Sequence, residues 1–225
     1  MPRVKKILKY QDLQKIAGGD NKEPLVVLNK LYPDIICHYQ KKDMRPYVGF
    51  NILVRKSLGV KLNRANQKLQ KLLPEAKLKI VYGYRHPAIQ QKYFKQFKKK
   101  LAEKYPRLND FALTSLTHNF VASPDVAGHS VGGAVDITIV SQGRELDMGT
   151  KIADYHDSEK IKTFSKKISR KQIANRTLLH NLLVAQGLAP FYGEWWHFSY
   201  GDKEWAKFYN KKKSLYSEIV YKNKS

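Results

Sequence analysis

The sequence predicts an α+β fold, in which helices flank a central antiparallel sheet within a single domain. Three observations favour this class. Some segments place apolar residues three or four positions apart, as amphipathic helices do, whereas others are short β-branched runs bordered by glycine. These helices and strands do not alternate regularly, as they would in a doubly wound parallel sheet. The 225 residues and 42% apolar content are sufficient for one sizeable core.

The first half of the chain predicts two helices and one strand. Residues 1–25 are expected to be a basic arm or a short helix, and the main domain to span residues 26–202. Within residues 51–77 a helix is predicted with the apolar stripe Leu58, Leu62, Ala65, Leu69 and Leu72. The run "LKIVYGYR" follows as a strand, and Pro87 begins a second helix. Its apolar face is expected to consist of Ile89, Tyr93, Phe97 and Leu101.

The second half begins with an irregular stretch, residues 105–128, because Pro106, Pro124 and many polar residues lie there. "GAVDITIV" then predicts a strand, and residues 171–186 a third helix that ends at Gly187. The apolar residues of this helix are Ile173, Leu178, Leu179, Leu182 and Leu183. "LAPFYGEWWHFSYG" predicts aromatic-rich strands, and residues 203–225 a basic C-terminal segment.

The formal charge of +23 is the strongest feature of the composition, and it raises the question of a polyanionic partner. The lysines are spread over the chain, with separate clusters such as "KQFKKK" and "NKKKS". No zinc-finger, RNA-binding or phosphate-loop motif accompanies them. We therefore expect a solvated basic surface and no nucleic-acid partner. Contact with an anionic wall polymer stays open.

Cysteine content and hydropathy restrict the possible disulfides and metal cages and the cellular location of the protein. The single cysteine, Cys37, excludes an internal disulfide and a multi-cysteine metal cage. No stretch approaches the roughly 18 apolar residues of a membrane span, and the N-terminal residues lack the pattern of an export signal. We therefore expect a cytoplasmic protein without a membrane span.

The candidate chemistry begins with Asp136, a carboxylate inside the apolar run "GHSVGGAVDITIV". A buried carboxylate needs a cation or hydrogen-bond donors to compensate for its lost hydration. His129 and His197 would complete a three-ligand zinc set with the fourth position open, as catalytic zinc requires. Residues seven or three apart point to opposite faces of a flat strand. Gly132 and Gly133 could bend the chain at the first pair, and a twisted or bulged strand end could bring Glu194 and His197 together.

Ordinary structural roles are an alternative for each of these residues. Asp136 could cap a turn or pair with a lysine, and Trp195 and Trp196 could belong to the core. A lone histidine is usually a surface or hydrogen-bonded residue, and the remaining ones are interpreted that way: His38, His86, His118, His156 and His180.

Five segments, in order, resemble a known family. "GHSVGGAVDITIV" is similar to the S-x-H-x6-D segment, and "GEWWHFSY" to the E-x-W-H segment, of the D-alanyl-D-alanine dipeptidases. "VYGYRHPAIQ", "LDMGT" and "NRTLLHNLLVAQGL" match further stretches of that family, so the resemblance extends from about Tyr32 to Tyr200. These zinc enzymes form a wider group of wall-peptide metallopeptidases with D,D-carboxypeptidases and some phage endolysins.

The resemblance implies a role for each residue. His129, Asp136 and His197 would bind one zinc ion per chain, and residues 26–202 would be the zinc peptidase domain. Glu194 would be the general base and acid. Arg85 would hold the scissile carbonyl. The implied reaction is hydrolysis of the dipeptide D-Ala-D-Ala to two D-alanines by a zinc-bound water.

Two departures from the family pattern concern the substrate. Ala127 stands where the family usually has serine, two residues before the first histidine. Asp154, the candidate partner for the substrate's free amine, lies about one residue late. A D,D-carboxypeptidase or an endolysin-type endopeptidase that acts on peptidoglycan stem peptides is therefore kept as the alternative.

Overall fold

The computed structural model of the chain describes residues 6–222, so residues 1–5 and 223–225 of the predicted terminal segments lie outside the described residues. In chain order its helices and strands are α1 (Tyr10–Leu13), β1 (Leu25–Val27), α2 (Leu28–Leu31), β2 (Ile36–Cys37), α3 (Arg45–Val48), β3 (Leu53–Arg55), α4 (Lys56–Leu72), β4 (Ala76–Tyr82), α5 (Pro87–Lys104), α6 (Asp110–His118), β5 (Ala134–Ser141), β6 (Arg144–Glu145), α7 (Arg170–Val184), β7 (Ala189–Pro190), β8 (His197–Ser199) and α8 (Lys203–Phe208).

The central sheet has the strand order β2-β4-β5-β8-β7, and β6 pairs with β5 beside this path. All its pairings are antiparallel except the short parallel pair of β2 with β4. Strands β1 and β3 form a separate antiparallel pair. The predicted α+β class with an antiparallel sheet and flanking helices is confirmed.

Helix α4 covers one face of the sheet with the predicted apolar stripe. Its residues Leu58, Leu62, Ala65 and Leu69 are fully buried in the main core, together with strand residues of β4 and β5. Complete burial stabilises each leucine by about 1.5–3 kcal/mol. The last predicted member, Leu72, is 64% exposed because α4 ends there and the chain turns toward β4. The helix also begins later than residue 51, since residues 53–55 pair with β1 as β3.

Helix α5 is confirmed, but its most buried side is rotated from the predicted one. Gln90 and Phe94 are buried, whereas Ile89, Tyr93 and Phe97 are only partly buried. Tyr93 and Phe97 line a cleft beside the sheet. Two residues of the predicted stripe therefore face a cavity, which the helical spacing alone could not indicate, whereas Leu101 is buried as predicted.

The prediction that residues 105–128 are irregular was wrong in part, because α6 lies within them. The Asn109 side chain accepts a hydrogen bond from the Ala112 backbone N–H and so caps the start of this helix. Leu113 and Thr117 are buried on its inner side. The proline-rich part of the stretch is a short 3-10 turn, Pro124–Val126.

Helix α7 begins with a capping box in which Ser169 and Gln172 satisfy each other's backbone N–H groups. Leu179, Leu182 and Leu183 are buried, whereas Ile173 is 40% exposed. The chain leaves the helix through Gly187 at φ +79°, as the sequence predicted.

The described parts of both terminal segments pack on the sheet domain. Helix α1 forms the short helix expected within residues 1–25. After α8, the chain runs back past residue 17, where the Ser214 N–H donates to the Ala17 carbonyl, and it buries Tyr216. The domain boundaries at residues 26 and 202 stay predictions. Within residues 6–222 no helix combines the length and apolarity that a membrane crossing needs.

Candidate metal centre and catalytic cleft

The structure brings His129, Asp136 and His197 together. Their candidate ligand atoms all lie within 4.8 Å of one another. Asp136 Oδ1 is 3.5 Å from His129 Nε2 and 3.2 Å from His197 Nδ1. The buried carboxylate that the sequence singled out therefore faces two imidazoles.

Strand pairing and one turn produce this convergence. Asp136 of β5 and His197 of β8 are direct cross-strand partners, so their side chains share one face of the sheet. His129 reaches the same face through a turn in which the Gly132 N–H donates to the His129 carbonyl at 3.0 Å. Gly132 has φ +72°, a conformation that strongly favours glycine. The predicted glycine bend therefore lies at Gly132.

Glu194 is brought beside His197 by a turn that precedes β8. The expected twisted or bulged strand end is not what joins them. The His197 N–H donates to the Glu194 carbonyl at 3.3 Å across Trp195 and Trp196, which are almost fully buried. The Trp195 N–H also donates to the Ile161 carbonyl, at 2.9 Å. Burial of the two indoles thus fixes the turn and directs Glu194 into the cleft.

A hydrogen bond sets which nitrogen of His129 is free, whereas both nitrogens of His197 face carboxylates. His129 Nδ1 lies 2.7 Å from the Gly83 carbonyl oxygen, which can only accept, so Nδ1 carries the proton and Nε2 faces Asp136. His197 directs Nδ1 toward Asp136, and its Nε2 lies 3.4 Å from Glu204 Oε2. Two imidazole nitrogens and one carboxylate oxygen that lie close together fit a catalytic zinc with an open fourth position.

The protonation preferences follow from burial and these contacts. Burial raises the pKa of Asp136, but His129 and His197 outweigh it and hold the pKa of this carboxyl well below its usual range. Burial alone would lower the pKa of His197, yet the carboxylates of Asp136 and Glu204 raise it. Burial raises the pKa of Glu194 to about 7. Glu194 is therefore near the point at which a carboxyl group both accepts and returns a proton at neutral pH.

Arg85 lies in the same cleft and is held from two sides. Its Nε donates to the Tyr82 hydroxyl at 3.3 Å, and its Nη1 donates to Gln90 Oε1 at 2.8 Å. Gln90 in turn donates to the Ala122 carbonyl, and Tyr82 donates to Asp43. These contacts fix the guanidinium group in the cleft that His129 and Asp136 also line.

The cleft encloses about 470 Å³ and is lined by Arg85, His129, Asp136, Glu194 and His197. All five predicted catalytic and metal residues therefore border one cavity. The remaining site prediction, Asp154, is not among the described residues that line it, and its carboxylate accepts from the His156 N–H at 3.3 Å. The role of Asp154 stays a prediction.

Sequence reasoning missed two residues of this cleft. Tyr155, next to Asp154, lines the cavity and packs edge-on against Trp196. Glu204 lies behind His197 on α8. A helix cap at Asp202 could have located α8, but no pattern in the sequence relates Glu204 to His197. Of the five histidines interpreted as ordinary, His118 alone borders the cleft among the residues that the structure describes.

Three known proteins show partial similarity to the chain, one in sequence and two in structure. A "D-alanyl-D-alanine dipeptidase" from Synechocystis sp. is 33% identical over 103 residues, which cover 41% of this chain and 42% of that relative. The LD-carboxypeptidase LdcB overlaps with a TM-score of 0.49 and 18% identity, over 85% of this chain and 76% of that chain. VanYB in complex with D-alanine-D-alanine overlaps with a TM-score of 0.41 and 16% identity, over 73% and 81% of the two chains.

The family comparison covers the greater part of the chain. The model of a peptidase family described as D-ala-D-ala dipeptidase matches residues 51–217. The match includes Arg85, the three converging residues, Glu194 and Glu204. The chain therefore belongs to the D-ala-D-ala dipeptidase family of peptidases.

Proposed function

We propose that this protein is a zinc-dependent dipeptidase that hydrolyses D-Ala-D-Ala to two D-alanines, with one zinc ion per chain. The observation that carries the proposal is the convergence of His129, Asp136 and His197 in a cleft that also contains Glu194 and Arg85. Family membership and the Synechocystis relative support the choice of substrate.

His129 Nε2, His197 Nδ1 and an Asp136 oxygen would hold the metal. Zinc bound there would act as a Lewis acid and would lower the pKa of water from about 15.7 to about 7. Each of the two histidines already faces an acceptor on its other nitrogen, the Gly83 carbonyl for His129 and Glu204 for His197.

Glu194 would act as the general base and then as the general acid. Its carboxylate takes a proton from the attacking water and delivers it to the amine of the leaving D-alanine. A pKa of about 7 suits both steps, because the proton is neither too weakly nor too tightly held.

Arg85 would stabilise the negative charge that develops on the scissile carbonyl oxygen. The guanidinium group stays protonated at every working pH, so it cannot lose this ability by titration. One such donor typically stabilises the transition state by about 3–4 kcal/mol. Tyr155 and Phe191 line the cleft, and Trp196 packs behind Tyr155, so aromatic side chains would limit access of water and strengthen these interactions.

A second candidate is the cleavage of longer wall peptides by a D,D-carboxypeptidase or an endolysin-type endopeptidase. The acidic residues that line the described cleft are Asp136, Glu194 and Glu204, and each faces the metal-binding histidines. None of these three is free for the ammonium group of a free dipeptide. Lys41 and Lys100 also border the cavity. A longer peptide carries no ammonium group at that position, and its wall polymer could contact the basic surface.

A hydrolysis assay with three substrates separates the two candidates. We expect the purified protein to contain about one equivalent of zinc, to lose activity with a chelator, and to release D-alanine from D-Ala-D-Ala. D-Ala-D-lactate and a muramyl pentapeptide are compared at the same concentration. Faster release from the pentapeptide would select the second candidate. A metal-free protein whose activity is indifferent to added zinc would contradict both.

The variant Glu194→Ala separates catalysis from metal binding. It should abolish turnover and retain zinc, because Glu194 is not a ligand. Glu103→Ala, an exposed carboxylate on α5, is the matched control and should keep full activity. Loss of zinc in the Glu194 variant would show that the roles are misassigned.

A further inference from the structure

Glu204 of α8 contacts the proposed metal ligand His197 at Nε2, the ring nitrogen that does not face Asp136. We infer that Glu204 is a positioning residue that holds the His197 imidazole with Nδ1 directed at the metal. The inference rests on the proposed zinc site. It also assigns a part of the metal centre to residues 203–225, which the sequence indicated only as a basic C-terminal segment.

The contact is buried, and no hydrogen bond to another described residue competes for Glu204 Oε2. Glu204 Oε2 lies 3.4 Å from His197 Nε2, and the two side chains are 13% and 12% exposed. Apart from this ion-pair contact, Oε2 is buried without a hydrogen-bond partner among the described residues. A buried carboxylate oxygen is stable only when a donor or a cation faces it. The N–H of His197 Nε2 meets that requirement.

The two sides of the His197 ring explain why the proton position matters. Nδ1 lies 3.2 Å from Asp136 Oδ1, on the side where the three ligand atoms converge. A neutral imidazole carries one proton, so Nδ1 can offer a lone pair to a metal only when the proton is on Nε2. An ionised carboxylate accepts and cannot donate, so Glu204 would hold the proton on Nε2 when a metal takes the place of the proton between Nδ1 and Asp136.

His129 shows the same arrangement with a weaker acceptor. Its Nδ1 faces the Gly83 carbonyl at 2.7 Å, which leaves Nε2 for the metal. Ligating histidines commonly donate their second N–H to a carboxylate or a carbonyl, which fixes the ring and makes the ligand more basic. Each of the two ligating rings in this site thus has its own acceptor.

The start of α8 is tied to the strand that carries His197. Asp202 Oδ1 accepts from the Trp205 N–H and from the Ser199 hydroxyl, both at 2.8 Å. Ser199 belongs to β8 and follows His197 by two residues. Trp205 and Ala206 are the buried residues of α8 itself. The short segment between β8 and α8, held by these two hydrogen bonds of Asp202, therefore sets the distance between Glu204 and His197.

The test measures zinc affinity in the full-length protein by competition with a chromophoric chelator. Glu204→Ala removes the acceptor and should weaken zinc binding by about 10- to 100-fold. Glu204→Gln keeps an oxygen that can accept from Nε2–H and should restore most of this loss. Glu103→Gln, on the exposed side of α5, should bind zinc like the wild type. The order wild type, Gln, Ala in affinity is the expected signature of positioning.

The outcomes distinguish this inference from the proposed function. If the wild type binds zinc and both Glu204 variants bind it equally well, Glu204 does not position His197. If the wild type itself binds no zinc, the proposed function fails and the inference falls with it. Thermal unfolding is followed for every variant. If the alanine variant does not fold, Glu204→Leu replaces it, because leucine is of similar length but cannot accept a hydrogen bond. A folded leucine variant that binds zinc as tightly as the wild type would overturn the inference.

Discussion

Replacing Arg85 by lysine tests how the cleft stabilises developing charge. The guanidinium group is held by Tyr82 through Nε and by Gln90 through Nη1, and it lies 4.6 Å from the centre of the Tyr82 ring. Lysine keeps the charge but has a single nitrogen, so it cannot make both contacts and present a donor to the substrate at the same time. The donor would therefore be misplaced.

The expected magnitude follows from this loss of geometry. Removal of one oxyanion donor lowers kcat by about 10²- to 10³-fold. Because lysine retains the positive charge, we expect Arg85→Lys to lie at the lower end, near 10²-fold, which corresponds to about 2.7 kcal/mol of transition-state stabilisation. KM should change by less than about threefold, since the interaction strengthens as the carbonyl oxygen becomes charged.

The assay is steady-state release of D-alanine from the substrate that the wild type prefers, with the zinc content measured for each preparation. Arg107→Lys, an exposed residue outside the cleft, is the control and should match the wild type. A kcat within about threefold of the wild-type value, in an Arg85→Lys protein with full zinc, would refute the proposed role of Arg85.

Two further predictions concern pH and stability. Glu194 acts as a base only when it is deprotonated, and burial raises its pKa to about 7. We therefore expect kcat/KM, measured with excess zinc, to fall as the pH drops through and below about 7. An undiminished kcat/KM at pH 5 would contradict this role. Gly132→Ala should destabilise the fold by about 1–3 kcal/mol in urea unfolding, because the residue has φ +72° and a Cβ there would lie 2.4 Å from Leu25 Cδ2. Gly143→Ala is the control, because this residue has φ +73° and a Cβ there would have no heavy atom within 4 Å, so the variant carries only the backbone strain. An equal loss of unfolding free energy in both variants would show that the Leu25 contact is unimportant.

Long periodic segments account for the part of the fold that the sequence predicted. Helices α4, α5 and α7 and strands β4 and β5 are long enough for apolar spacing to reveal their type. Strands β2 and β7 contain two residues each, which is too short for any period. Helix α6 was missed because its start depends on a single cap, Asn109, within a stretch that prolines and polar residues otherwise mark as irregular.

The candidate site likewise has features that the sequence predicts and features that only the fold decides. Asp136 stood out because an ionisable residue within a β-branched run has a defined energetic requirement. The cross-strand pairing of Asp136 with His197 was not predictable, since the two residues are 61 positions apart and register depends on the whole sheet. Tyr155 lines the cleft and the neighbouring Asp154 does not, because the local backbone conformation, which residue spacing does not reveal, decides which side chain points inward.

The sequence by itself determined the chemical types of the site, namely two histidines, two carboxylates and one arginine in motifs typical of a zinc peptidase family. It determined them because these residue types and spacings are uncommon together. Tertiary structure alone decided which atoms meet. It placed Nδ1 of His197 toward Asp136 and Nε2 toward Glu204, since the tautomer depends on a contact between β8 and α8 that exists only after the chain has folded.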